Sequence, residues 1–169
     1  MINKLHFPVL VVVLMMFMLV LVSACGFQLQ SKVELPPEMQ QTRLEVFDPY
    51  GRFAQRLATL LEQNGVQVVE SGNGAAILEV PFNSVHKEIQ SIGDNARVQE
   101  FLVVHSVQFR LLDKDGKEMI PLQSFEQSRV YRFNEQDILA AEREDEFLRN
   151  DLADNLAGMV VRRIGTYGK

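Results

Sequence analysis

Phe101-Leu102-Val103-Val104-His105-Ser106-Val107-Gln108-Phe109-Arg110-Leu111-Leu112, followed by Asp113-Lys114-Asp115-Gly116, is the stretch that decides the fold. Phe101, Val103, Val107, Phe109 and Leu111 stand at odd positions, so they share one face of an extended strand. Asp113 to Gly116 is a strong hairpin turn, in which Gly116 can adopt a positive φ. The chain then returns as a strand over Lys117 to Phe133, interrupted at Pro121. Upstream, Ala76 to Ile92 carries Ile77, Val80, Phe82, Val85 and Ile89, with Pro81 marking a bulge or an edge position. Gly93-Asp94-Asn95-Ala96 is the turn that leads into Arg97 and the central strand.

Working outward, Thr42 to Phe47 alternates polar and apolar residues and predicts a first strand. Asp48-Pro49 is a helix start, with Asp48 as cap and Pro49 at the first helical position. Phe53, Leu57, Leu60 and Leu61 follow at helical spacing, and Asn64-Gly65 is the stop. A short apolar piece, Val66 to Val69, precedes a turn at Ser71-Gly72-Asn73-Gly74. At the other end Asn134 suits a helix cap. Leu148, Leu152, Leu156, Val160 and Ile164 step by four along one helix face, with Phe147 beside them. The charged segment Ala140 to Glu146 reads either as a loop or as an exposed first turn. Strand, helix, three strands, helix predicts an α+β fold: two helices packed on one face of a mixed, roughly four-stranded sheet. The first strand, first helix and next strand form a candidate parallel crossover.

The N-terminus has a different character. Lys4 is the only Lys, Arg, Asp or Glu before Cys25, and residues 8–22 are almost wholly apolar. Val22-Ser23-Ala24-Cys25 follows. This is the layout of a secretory signal with a small-residue cleavage site, and the cysteine placed at that site resembles a bacterial lipobox. The expectation is a lipoprotein signal peptide over 1–24, then a lipid anchor and tether over 25–41, with Pro36-Pro37 extended. A single domain over 42–169 completes the chain. Cys25 would carry an S-diacylglycerol and an N-acyl chain, and more than one acyl chain gives stable membrane attachment. An uncleaved apolar anchor is the competing reading, but the run stops at small residues and lacks a basic flank beyond them. Cys25 is the chain's only cysteine, so no disulfide forms within the chain.

Composition narrows the function. The chain has 17 Lys and Arg against 22 Asp and Glu. Nucleic acid, which calls for a basic patch, is not an expected partner. A search for catalytic groups finds little. His86 and His105 lie on different strands without a metal-site spacing. There is no nucleophile elbow, phosphate loop or dinucleotide fingerprint. His105 is in phase with the apolar face and reads as a core or edge histidine. Glu142, Glu144, Asp145 and Glu146 read as a solvated face. No enzyme activity, metal or bound cofactor is expected. Arg97, Arg110, Arg129 and Arg132, on or beside the central strands, are either edge protection or a set of cations suited to anionic groups.

Cys25-Gly26-Phe27-Gln28-Leu29, the Pro36-Pro37 tether, Asp48-Pro49-Tyr50-Gly51 and Asn64-Gly65-Val66, taken with the element order, resemble the LPS-assembly lipoprotein LptE family. The resemblance runs over the chain from Cys25 onward. It implies an outer-membrane lipoprotein, anchored on the periplasmic face, that partners and plugs the LptD barrel in delivering lipopolysaccharide to the cell surface. It also implies lipopolysaccharide contact through basic residues near a strand turn and early in the last helix. Here the aligned positions are Asp94 and Ala141, so Arg97 and Arg143 are substitutes by proximity. Gly26 after the cysteine agrees with sorting to the outer membrane. The alternative is a stand-alone periplasmic lipid-binding lipoprotein, which would need an apolar cavity of its own.

Overall fold

The computed structural model describes residues 33–71 and 74–167. The signal segment 1–24, Cys25 and the first part of the tether lie outside the described residues. Five strands form one mixed sheet: β1 (Gln41–Val46), β2 (Gln67–Val69), β3 (Ala76–Ile92), β4 (Val98–Leu112) and β5 (Glu118–Arg132). Their spatial order is β2-β1-β3-β4-β5. β1 pairs parallel with both β2 and β3, while β3, β4 and β5 form an antiparallel meander. The sheet has one strand more than expected, because the short apolar piece after the first helix pairs with β1 as β2.

Two helices, α1 (Arg52–Gln63) and α2 (Ile138–Gly165), pack on the sheet face that carries Leu78, Phe109, Leu111 and Ile120. Both N-termini differ from the sequence expectation. α1 starts after Gly51. Asp48 instead makes a turn ahead of the helix, its Oδ1 accepting from Tyr50 N at 3.2 Å and Gly51 N at 3.1 Å. α2 is capped by Asp137, which accepts from Ala140 N. Asn134 closes the preceding loop through Gln136 N, at 3.0 Å. The charged segment Ala140 to Glu146 lies wholly within α2, anchored by Ala141 and Leu148. Phe147 is not beside the buried row, because its side chain is 64% exposed.

Pro81 does what its chemistry requires. Proline cannot donate to a ladder, and the β3–β4 register shifts between Glu79 and Phe82. The shift exchanges the two faces of β3. Ala76, Leu78 and Val80 point into the main core before it. After it, Asn83, Val85, Lys87 and Ile89 stand opposite Val107, His105, Val103 and Phe101 on the helix side. A second irregularity, in β5 across Pro121, lies between the pairs Leu111–Ile120 and Phe109–Gln123.

The core has two parts. The main cluster joins Phe53, Leu57, Leu78, Phe109, Leu156 and Ile164, among others. A smaller one joins Val103, Tyr131, Ala141, Leu148 and Leu152. Met39 is fully buried in the main cluster, and Val33 and Leu35 pack against it. Part of the expected tether is therefore packed chain. Val33 N donates to Asn64 Oδ1 at 2.7 Å. Its side chain also lies where a Cβ on Gly165 would stand, so only glycine fits there. The chain thus enters the domain at the C-terminal ends of both helices.

Candidate partner and lipid interface

The antiparallel ladder sets two ends of the domain apart. The β4–β5 turn shares one end with the start of β3 and the start of β1, since Leu112 pairs with Ile77 and Ala76 with Thr42. Val33 enters beside that end's helix termini. The β3–β4 turn and the start of α2 lie at the other end. Fifteen residues of β4 separate the two turns, or about 50 Å of strand. β1 pairs only as far as Val46 with Val80, so no strand pairs with the outer edge of β3 from Phe82 to Ile92 among the described residues.

The β3–β4 turn places Arg97. Gly93 N donates to Arg97 O at 2.8 Å, and Ala96 N donates to Gly93 O at 2.9 Å. Ala96 takes the left-handed position at φ 60°. Arg97 Nη1 reaches Glu135 Oε2 at 2.7 Å, so the turn is tied to the loop before α2. Phe133 N donates to Gln99 O at 2.8 Å and adds a backbone tie between the same segments. Arg143 sits in the second turn of α2, exposed, with no carboxylate within ion-pair distance among the described residues. The structure thus brings both sequence-selected cations to one end of the domain, Arg97 paired and Arg143 unpaired. A cleft of about 370 Å³ lies there between Val130, Tyr131 and Arg132 of β5 and the start of α2, lined by its cap Asp137 and by Ala140 and Ala141.

Of the other arginines on the central strands, Arg110 and Arg129 have structural partners, and exposed Arg132 has no ion-pair partner among the described residues. Arg110 Nε pairs with Glu79 at 2.5 Å across the β3–β4 register, and Arg129 lies 3.8 Å from Asp151 of α2. Hydrogen bonding and charge from Glu79 raise the Arg110 guanidinium further above its usual range. On the helix side, Lys87 Nζ lies 4.7 Å above the Phe101 ring centre. It is also 3.5 Å from Tyr131 Oη and 3.5 Å from Asp145 Oδ1. Arg149 Nε donates to Asp145 Oδ2 at 2.6 Å. Burial pushes the Asp145 carboxyl up, but Arg149, Lys87 and Tyr131 outweigh it and hold the group below its usual range. This cluster fastens the first half of α2 to the sheet. The sequence hid it, because Lys87 and Asp145 are 58 positions apart and each sits among other charges.

The sheet face without helices is uneven. Toward the Val33 end it carries the pairs Arg43–Glu45 and Arg110–Glu79. Toward the β3–β4 turn it carries Leu102 opposite Val130, and Val104 between His86 and Ser128. Val130 is 50% and Ile92 61% exposed. Leu139 and Ile138 of α2 are also exposed at that end. Among the described residues no group of three His, Cys, Asp or Glu is placed to hold a metal, and no helix is long and apolar enough to cross a membrane.

A one-layer helix cover over a mixed sheet, with exposed Ile92, Val130, Ile138 and Leu139 and the cations Arg97 and Arg143 at the end remote from Val33, presents a surface for binding or assembly. The family model described as LptE, lipopolysaccharide-assembly, matches residues 39–164. Proteins named LPS-assembly lipoprotein LptE from Yersinia pestis (strain Pestoides F) and Yersinia pseudotuberculosis (serotype O:1b) are 33% identical over 159 residues. Those alignments span 92% of this chain and 76% of each relative. The solution structure of an uncharacterized lipoprotein B from Nitrosomonas europaea is similar at a TM-score of 0.70 and 27% identity, covering 84% of this chain and 92% of that one. A rare lipoprotein B from Shewanella oneidensis shares the fold at 0.65 and 21% identity, with 75% and 94% covered. The chain belongs to the LptE family of lipopolysaccharide-assembly lipoproteins.

Proposed function

We propose that this chain is an outer-membrane lipoprotein, acylated at Cys25, that partners and plugs an LptD-type barrel during lipopolysaccharide assembly. The observation that carries this reading is the family match over 39–164, which spans every strand and helix of the domain except the last residue of α2. The unpaired edge of β3 and the exposed apolar side chains Ile92 and Val130 support it, because a partner would cover them. Arg143 is the cation open to a lipopolysaccharide phosphate. Arg97 first has to leave Glu135.

Photo-crosslinkers at Asn95 and Lys114 test the partner in cells. The two sites occupy opposite ends of β4, so their pattern also orients the domain. The expected result is barrel capture at one site or both. A protein that reaches the outer membrane and captures a barrel from neither site overturns the plug reading. Fatty-acid labelling of Cys25→Ala tests the anchor, and label equal to wild type removes the lipidation assignment. Arg143→Asp should weaken lipopolysaccharide binding by the purified protein more than Arg97→Asp does. Unchanged binding in the double variant removes both residues from the site.

A further inference from the structure

His105 stands at the joint between the two parts of the core. Val103, two residues before it, belongs to the smaller cluster, and Val107, two residues after it, to the main one. Its imidazole is 4% exposed. Nε2 lies 2.7 Å from Asn83 Oδ1 on β3. The neutral ring satisfies that contact by donating from Nε2, which leaves Nδ1 as a lone acceptor. Nδ1 is buried and without a partner among the described residues. The Phe53 ring of α1 meets the imidazole edge-on at 6.1 Å. Three elements, β3, β4 and α1, therefore close directly on one titratable group, and α2 lies beside it.

The charges around it offer no acceptor for a second proton. From α2 come Arg149 and Asp145, and from β3 comes Lys87. Asp145 is already shared by both cations. Arg52, next to Phe53 on α1, is held by Asp154 of α2 at 2.8 and 2.6 Å. On β5 the cross-strand neighbour is Gln127, and nearby Arg129 lies 3.8 Å from Asp151. Protonation would bury an N–H at Nδ1 with nothing to receive it and add a cation beside Arg149. Both effects are costly in a low-dielectric site.

We propose that His105 is an acid-sensitive latch, whose protonation releases the first half of α2 from the β3–β4 end of the sheet while the main core stays closed. The smaller cluster is the part that opens, because it holds few residues and is fastened by Lys87, Asp145 and Arg149 rather than by extensive apolar packing. Burial first, and Arg149 second, hold the imidazole down at about 4, against 6.5 when exposed. The opened state therefore binds the proton more tightly. The closed state keeps its full stability above pH 6.5 and loses it progressively as pH falls toward 4.

Amide exchange by mass spectrometry on the full chain in detergent micelles, corrected for intrinsic rates, tests this. Between pH 7 and pH 5, protection over 145–152 and 101–105 should fall about 20-fold relative to protection over 57–61 in α1. His105→Gln retains an amide that can meet Asn83 but cannot titrate, so that ratio should become independent of pH even if the variant is less stable. His86→Gln removes the other histidine of the described residues, exposed on β3, and should leave the pH dependence in place. The latch is overturned if His105→Gln shows the wild-type pH dependence, if His86→Gln abolishes it, or if protection falls equally at 57–61.

Discussion

The two hairpin turns of the meander share one hydrogen-bond plan but not one chemistry. In the β4–β5 turn, Asp113 N donates to Lys117 O at 2.8 Å and Gly116 N to Asp113 O at 3.0 Å. The β3–β4 turn repeats both contacts with Gly93, Arg97 and Ala96. Both are three-residue loops that end on a left-handed residue. Gly116 takes that place at φ 79°, where glycine carries no steric penalty, whereas Ala96 takes it at φ 60° with a Cβ. Asp113 Oδ1 also accepts from Asp115 N and Lys117 N at 2.9 and 2.8 Å. In the other turn, Asn95 makes a single such contact, with Arg97 N at 3.2 Å. The turn near the chain's entry is thus locally self-sufficient. The remote one leans on Arg97–Glu135 and the segment before α2. That contrast follows the core, with the larger cluster nearer the first turn and the smaller one nearer the second.

The largest expected effect compares the two clusters. Leu156→Ala removes a fully buried side chain from the main core and should cost about 2–5 kcal/mol in denaturant unfolding. Leu148→Ala, in the smaller cluster at 8% exposure, should cost clearly less. Equal losses would erase the distinction between the two regions. The turns themselves give the next effect, with opposite signs. Gly116→Ala should destabilise by roughly 1 kcal/mol and Ala96→Gly should stabilise by a similar amount. If both exchanges destabilise, Ala96 is not strained relative to glycine. The smallest effect is that of Glu135→Gln, which frees Arg97 from an exposed pair and should change stability by under about 1 kcal/mol. It should nonetheless raise amide exchange over 93–97, and an unmoved turn would show that Arg97 does not brace it.

Local chemistry made much of this protein legible. Period-two alternation from Phe101 to Leu111 fixed the central strand, and the fourfold step from Leu148 to Ile164 fixed the long helix. Pro81 and Pro121 announced two of the irregular registers, because a missing N–H is a property of the residue itself. Whole-chain likeness supplied the family. The sequence placed Arg97 and Arg143 as candidates, though not their unequal states, since Glu135 is 38 positions from Arg97 and nothing local selects it. From sequence the short strand β2 is only an apolar piece, because three residues carry too little periodicity to classify until β1 pairs with them. The charged start of α2 was ambiguous for a similar reason. Its polarity is that of a loop, and only packing of Ala141 and Leu148 against Val103 and Tyr131 makes it helix. Tertiary structure alone also decided which face each half of β3 presents, that the two hairpin turns lie at opposite ends of the domain, and that His105 is enclosed by three elements with one nitrogen unanswered. Each of these depends on groups brought together across long sequence separations, where the pairing energy belongs to the folded arrangement and to no stretch of chain by itself.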